Sequence, residues 1–177
     1  MIAQLTLAAA PERLASLVLV ACDAFECFPP GAYRLLFRAV NIPGAMTLLA
    51  ATMNRPAFAR SRFGYGAVTR NPAAATHWAR PLSVDPLIRR DLRKLMTGAS
   101  SRQTQQAARA FASFERPVLV LWAGQDRLFP ASLGARLAAA FPEGRLAIVP
   151  ESRTFIPLDQ PLALSTLIAE FTESAVD

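Results

Sequence analysis

Between Pro117 and a Gly-containing turn the chain reads VLVLWA without a polar residue, and it then sets a lone carboxylate, Asp126, among turn residues (PVLVLWAGQDRLFP, 117–130). A continuous apolar run of that length predicts a strand buried on both faces, the kind found in parallel sheets. Asp126 then falls at the carboxyl end of the strand. In open α/β folds that edge is where ligands and catalytic groups collect. An Asx-type turn, whose side chain accepts backbone N–H groups, uses the same residue type, and position alone fits both readings.

Two more strands are predicted from LASLVLVA (14–21), which ends at Cys22 and Asp23, and from RLAIVP (145–150). Helical periodicity follows each of the last two strands, over 131–141 and 158–173, with Pro161 suited to a first turn. Residues 1–10 carry an apolar helical pattern with no capping residue before it. Strand, helix, strand, helix predicts parallel crossovers and the α/β class.

About ninety residues separate the first two strands, too many for one crossover. They are rich in Pro, Arg and aromatics, and their period predicts short helices near 31–40, 43–53, 72–80, 84–97 and 101–113. The expected organisation is therefore a core of residues 1–29 and 115–177, holding about three parallel strands with flanking helices, and a helical cap inserted over residues 30–114. No internal repeat or charged linker interrupts it.

Composition narrows the functional classes. With 53% hydrophobic and 18% charged residues, the 177-residue chain has ample material for one core. The net charge is +6, but the basic residues are spread out except for Arg89, Arg90, Arg93 and Lys94, and no aromatics interleave there to stack bases. Nucleic acid is not an expected partner. Cys22 and Cys27 are too few for a disulfide framework and read as apolar thiols of a reducing compartment. The single His77, without an HExxH or paired-cysteine pattern, argues against a metal site, and no cofactor motif is present. The amino-terminal stretch has no cationic n-region, Glu12 and Arg13 interrupt it, and no apolar run spans a bilayer. A cytoplasmic, non-membrane protein is expected.

APERLASLVLVACDAF, the helical insertion, PVLVLWAGQDRLFP with its following helix, and RLAIVP leading through a loop into a last helix together resemble the carboxyl-terminal half of an α/β-hydrolase of the epoxide-hydrolase and haloalkane-dehalogenase-like branch. The resemblance covers essentially the whole chain. It implies a partial α/β-hydrolase fold and hydrolysis of small apolar esters, epoxides or halides. Gly124, Asp126 and Pro130 match the motif G-x-[D/H]-x-x-[F/V]-P, so Asp126 would be the acid of a triad, holding an imidazole in its working tautomer. In the loop PESRTFIPLDQP, however, Thr154 stands at the position of the catalytic His, and a threonine hydroxyl cannot serve as a general base at neutral pH. The nucleophile elbow, G-x-[S/D]-x-G, would lie before Met1, and Ser61, Ser83, Ser100 and Ser132 lack the strand-turn-helix setting it requires.

The resemblance also suggests Phe25, Phe28, His77 and Trp78 as walls of an apolar substrate pocket, with plain core packing as the alternative for the aromatics. His77 could face the crevice as a substitute base or be a surface residue. Asp23 and Glu26 stand where some members of the branch carry an alternative acid. The first strand should border a missing strand, leaving an apolar edge open to self-association or to a complementary amino-terminal half. The alternative to an enzyme is a non-catalytic, hydrolase-derived binding or assembly domain.

Overall fold

The structure, a computed structural model, describes residues 1–175. Three parallel strands, β1 (Leu17–Val20), β2 (Val118–Ala123) and β3 (Gly144–Val149), pair in the order β1-β2-β3. Leu17 is opposite Val118 and Val118 is opposite Gly144, which fixes the register across the sheet. β2 is buried at each of its positions, as its continuous apolar run requires. The outer strands differ: β1 alternates buried and half-buried residues, while β3 leaves Leu146 and Ile148 substantially exposed. Among the described residues each outer strand has a paired neighbour on one side only, and neither shares the continuous burial of β2.

The side-chain period of two sorts the sheet into two packed faces. Val118, Val120 and Trp122, with Leu17 and Leu19, meet Leu7 of α1 (Ile2–Ala9) and Leu133 and Leu137 of α9 (Ala131–Ala139). Leu119, Leu121 and Ala123 meet Ile156 of α10 (Ile156–Asp159) and Leu164 and Phe171 of α11 (Pro161–Ser174). The result is a three-layer arrangement with helices on both faces. α9 approaches β2 so closely that a Cβ at Gly134 would lie 2.5 Å from the Trp122 ring.

The edge of β1 facing away from β2 is open among the described residues. Leu17 and Ala21 donate their amides to Pro117 and Leu121 of the β2 segment. In a parallel ladder alternate residues point to opposite edges, so the N–H and C=O of Val18 and Val20 point outward.

Between β1 and β2 run α2 (Arg34–Ala39), α3 (Ala45–Met53), α4 (Pro56–Arg60), α5 (Pro72–Ala75), α6 (Arg80–Val84), α7 (Pro86–Gly98) and α8 (Ser101–Ala108). Local sequence starts several of them. Asp85 accepts the Leu87 amide at 2.7 Å and Pro86 opens α7, while Ser100 and Gln103 form a capping box on α8. The expected helix over 72–80 stops at Ala75, and the next helix, α6, starts only at Arg80 with Pro81 in its first turn; Pro56 likewise opens α4, which periodicity does not predict. Val40, Met46 and Met96 form a separate small core among these helices. α8 lies against α1, and Phe111 and Phe114 belong to the sheet-side core, with Phe111 stacked on Phe141 at 4.5 Å. Residues 101–114 thus pack with the sheet.

Among the described residues no helix is long and apolar enough to cross a membrane, and no group of three or more His, Cys, Asp or Glu side chains could hold a metal ion. Both cysteines are free thiols; burial pushes the Cys22 thiol up to about 11, which keeps it protonated at neutral pH.

Candidate functional site

The loops leaving β2 and β3 are laced together at the carboxyl edge of the sheet. Gly124 donates its amide to the Val149 carbonyl and Gln125 donates to the Ser152 carbonyl, both at 2.9 Å. This brings together Asp126 and Thr154, twenty-eight residues apart: the Thr154 hydroxyl donates to Asp126 Oδ1 at 2.9 Å. The same oxygen accepts the amides of Leu128 (2.8 Å) and Phe129 (2.9 Å). In this geometry Asp126 is a turn-capping carboxylate that also faces the loop after the last strand. Its Oδ2 is buried and has no hydrogen-bond partner among the described residues.

Thr154 is itself buried, and its loop is clamped to the 66–70 segment. The carboxylate of Asp159 accepts the Thr69 hydroxyl (2.5 Å) and the Arg70 amide (2.8 Å) on Oδ1, and the Arg153 amide (2.8 Å) on Oδ2. Arg153 donates Nη1 to the carbonyls of Gly66 (2.6 Å) and Thr69 (3.0 Å). Desolvation pushes its guanidinium down, with the nearby Arg127 charge adding to the effect. Phe155 donates its amide to Val68 at 2.7 Å, and Arg70 pairs with Glu151. Apart from Arg153 and Asp159, six residues apart, these partners lie more than eighty residues apart, and no local pattern in the sequence signals them.

Beside this clamp is a cavity of about 660 Å³, lined by Phe155, by Tyr65 and Val68 of the clamped segment, and by apolar side chains that include Leu36, Leu49, Met53, Leu92 and Met96 of the intervening helices. Burial raises the Tyr65 phenol, and also that of Tyr33 on the cavity wall, so both stay neutral. A volume of this size within an apolar wall is that of a small-molecule site.

The four aromatic candidates do not converge there. Phe25 is a core residue, T-shaped on Phe111 at 6.0 Å and covered by the Arg136 guanidinium at 4.0 Å. Its left-handed backbone (φ 54°) is held by the Thr104 hydroxyl, which donates to its carbonyl. Phe28 packs on Phe37 and borders a different, more polar hollow with Glu26 and Arg34. His77 is exposed and lines none of these walls. Trp78 packs on Phe155 (5.3 Å) and Tyr65 (5.6 Å), supporting two residues that do line the cavity. Asp23 accepts the Met1 amino group, and Glu26 pairs with Arg136, which holds its carboxyl low.

No protein-family model matches the sequence, and no curated protein is significantly similar to it. Solved structures are similar in shape. A meta-cleavage product hydrolase from Pseudomonas fluorescens superposes with a TM-score of 0.71 at 13% identity, over 98% of this chain and 61% of its own. A 2-hydroxy-6-oxo-6-phenylhexa-2,4-dienoate hydrolase from Rhodococcus gives 0.66 at 16% identity, over 94% and 58%. A thermophilic esterase from Thermogutta terrifontis gives 0.57 at 16% identity, over 97% and 62%. The chain has a partial α/β-hydrolase fold. Its three strands and flanking helices span about three fifths of the length of these α/β-hydrolase structures, all hydrolases by name.

Proposed function

We propose that this α/β-hydrolase-fold chain binds a small apolar ligand in the cavity beside the Asp159 clamp and, by itself, does not hydrolyse it. Helices α2 to α7 act as the cap, and Asp126 is the acid position of the fold. One observation carries the reading: the group that reaches Asp126 from the loop after the last strand is the Thr154 hydroxyl. It reproduces the donor half of a histidine's role, but it has no basic nitrogen with which to take a proton from a nucleophile or a water. The sequence also contains no G-x-S-x-G. If the ester, epoxide or halide chemistry of the fold is carried out by a longer assembly, this chain supplies the acid and the apolar walls.

The test separates binding from turnover. The neutral fluorophore N-phenyl-1-naphthylamine should bind saturably, Leu92→Arg should weaken it about tenfold or more by placing a charge in the apolar wall, and Asp126→Asn should leave it unchanged. 4-Nitrophenyl octanoate should not be hydrolysed above the rate in buffer. Ester turnover that Asp126→Asn abolishes would reject the reading in favour of an intact enzyme.

On the same reading the open edge of β1 takes a strand from a second copy when the chain is alone in solution, because LVLV carries no charge or proline to block pairing. Val18 directs its N–H outward, so Val18→Pro should shift a concentration-dependent elution profile to monomer while costing less stability than Leu19→Pro, which cuts the bonds to β2. An elution profile independent of concentration for the unsubstituted chain would refute the pairing.

A further inference from the structure

A second hollow, of about 480 Å³, is bordered by Tyr33, Arg62, Phe63, Ala67, Arg127 and Leu128. Tyr33 and Phe63 also border the 660 Å³ apolar cavity, so the two spaces share a wall. Their chemistry is opposite. The cavity is apolar apart from its tyrosines, whereas the hollow is bordered by two arginines, and no Asp or Glu borders either space among the described residues.

Neither arginine is in an ion pair among the described residues. Arg62 rests over the ring of Phe63, which borders both spaces, its guanidinium carbon 4.8 Å from the centroid. Arg127 directly follows Asp126 and acts on the Arg153 guanidinium as a like charge. Asp126 is the neighbouring carboxylate, but its Oδ1 is already engaged by two amides and a hydroxyl. Arg62 and Arg127 therefore border the hollow as cations, with no acidic residue in its lining among the described residues.

We infer that the ligand of the cavity is an apolar chain ending in a single carboxylate, its tail among Leu36, Leu49 and Leu92 and its head group held by Arg62 and Arg127. This rests on the cavity being a ligand site. The guanidinium fork matches the two oxygens of a carboxylate, and the lining offers two such forks without an acidic residue to compete for them. Because the arginines are exposed, the preference for the anion weakens with added salt.

Calorimetric titration with octanoate and with 1-octanol, two ligands of the same chain length, tests this. At low ionic strength octanoate should bind about tenfold more tightly than octanol, although octanol is the more apolar. Arg62→Ala with Arg127→Ala should remove that preference and leave octanol affinity unchanged, while Arg102→Ala, on a separate exposed face, should leave it intact. Equal binding of both ligands to the unsubstituted chain, or a preference that survives the double substitution, overturns the carboxylate assignment and leaves the cavity a ligand site. Binding of neither ligand overturns both.

Discussion

Trp122→Ala is expected to lower the free energy of unfolding by about 3–5 kcal/mol in urea melts, the range for deleting a large buried aromatic. Trp122 is fully buried near the end of the central strand, edge-on to Phe129 at 6.3 Å and pressed against the backbone of Gly134. It therefore joins β2, α9 and the turn that carries Asp126. Its indole Nε1 is buried without a partner, a cost the native state already bears. Trp122→Phe removes that donor as well as part of the volume, and should cost about 1–2 kcal/mol. Gly134→Ala alone should cost about 1–3 kcal/mol, since its Cβ would sit 2.5–2.8 Å from three indole carbons. In the Trp122→Ala background the same methyl enters the space the ring has left, so the two losses should be less than additive. Additive losses would show that the contact between ring and glycine does not set the packing.

The contact between Trp122 and Gly134 also shows what the sequence reveals and what it leaves hidden. VLVLWA was legible as the buried centre of a parallel sheet because a strand covered on both faces needs apolar residues on both. LASLVLVA has the same texture, yet β1 alternates buried and half-buried residues, since composition does not say how fully packing partners cover each face. Asp126 could be placed at the sheet's carboxyl edge from its turn residues, and Thr154 through the resemblance of the final loop to that of α/β-hydrolases. The 2.9 Å bond between them needed the lacing of the two loops by Gly124 and Gln125. The aromatic residues were harder. Phe25 and a cavity-lining residue such as Phe155 look alike in sequence, and only the tertiary fold sends one into the core and the other to the cavity wall. Arg62 and Arg127, sixty-five positions apart, gave no local sign of sharing a hollow.

Asp159→Ala should cost about 3 kcal/mol of stability and should weaken binding of the neutral fluorophore about fivefold or more. The carboxylate accepts three donors, one of them the fully buried Thr69 hydroxyl, and alanine leaves that hydroxyl and the Arg153 amide without an acceptor. Water can replace the bond to the exposed Arg70 amide, so the loss is smaller than three full bonds. The effect on binding follows from position. Val68 and Phe155 line the cavity, and the bond between their backbones lies next to the Asp159 clamp on both strands of chain. Releasing the clamp lets Phe155 and Val68 move independently, so the wall must be ordered again when a ligand enters. Asp159→Asn keeps one carbonyl oxygen for Thr69 and Arg70 but turns an NH₂ toward the Arg153 amide, which places it between the native chain and Asp159→Ala in both measurements. Asp126→Asn is the control for position, because Asp126 lies outside both the clamp and the cavity wall. If Asp159→Ala lowers stability but leaves the fluorophore bound as before, the clamp holds the loop without shaping the cavity.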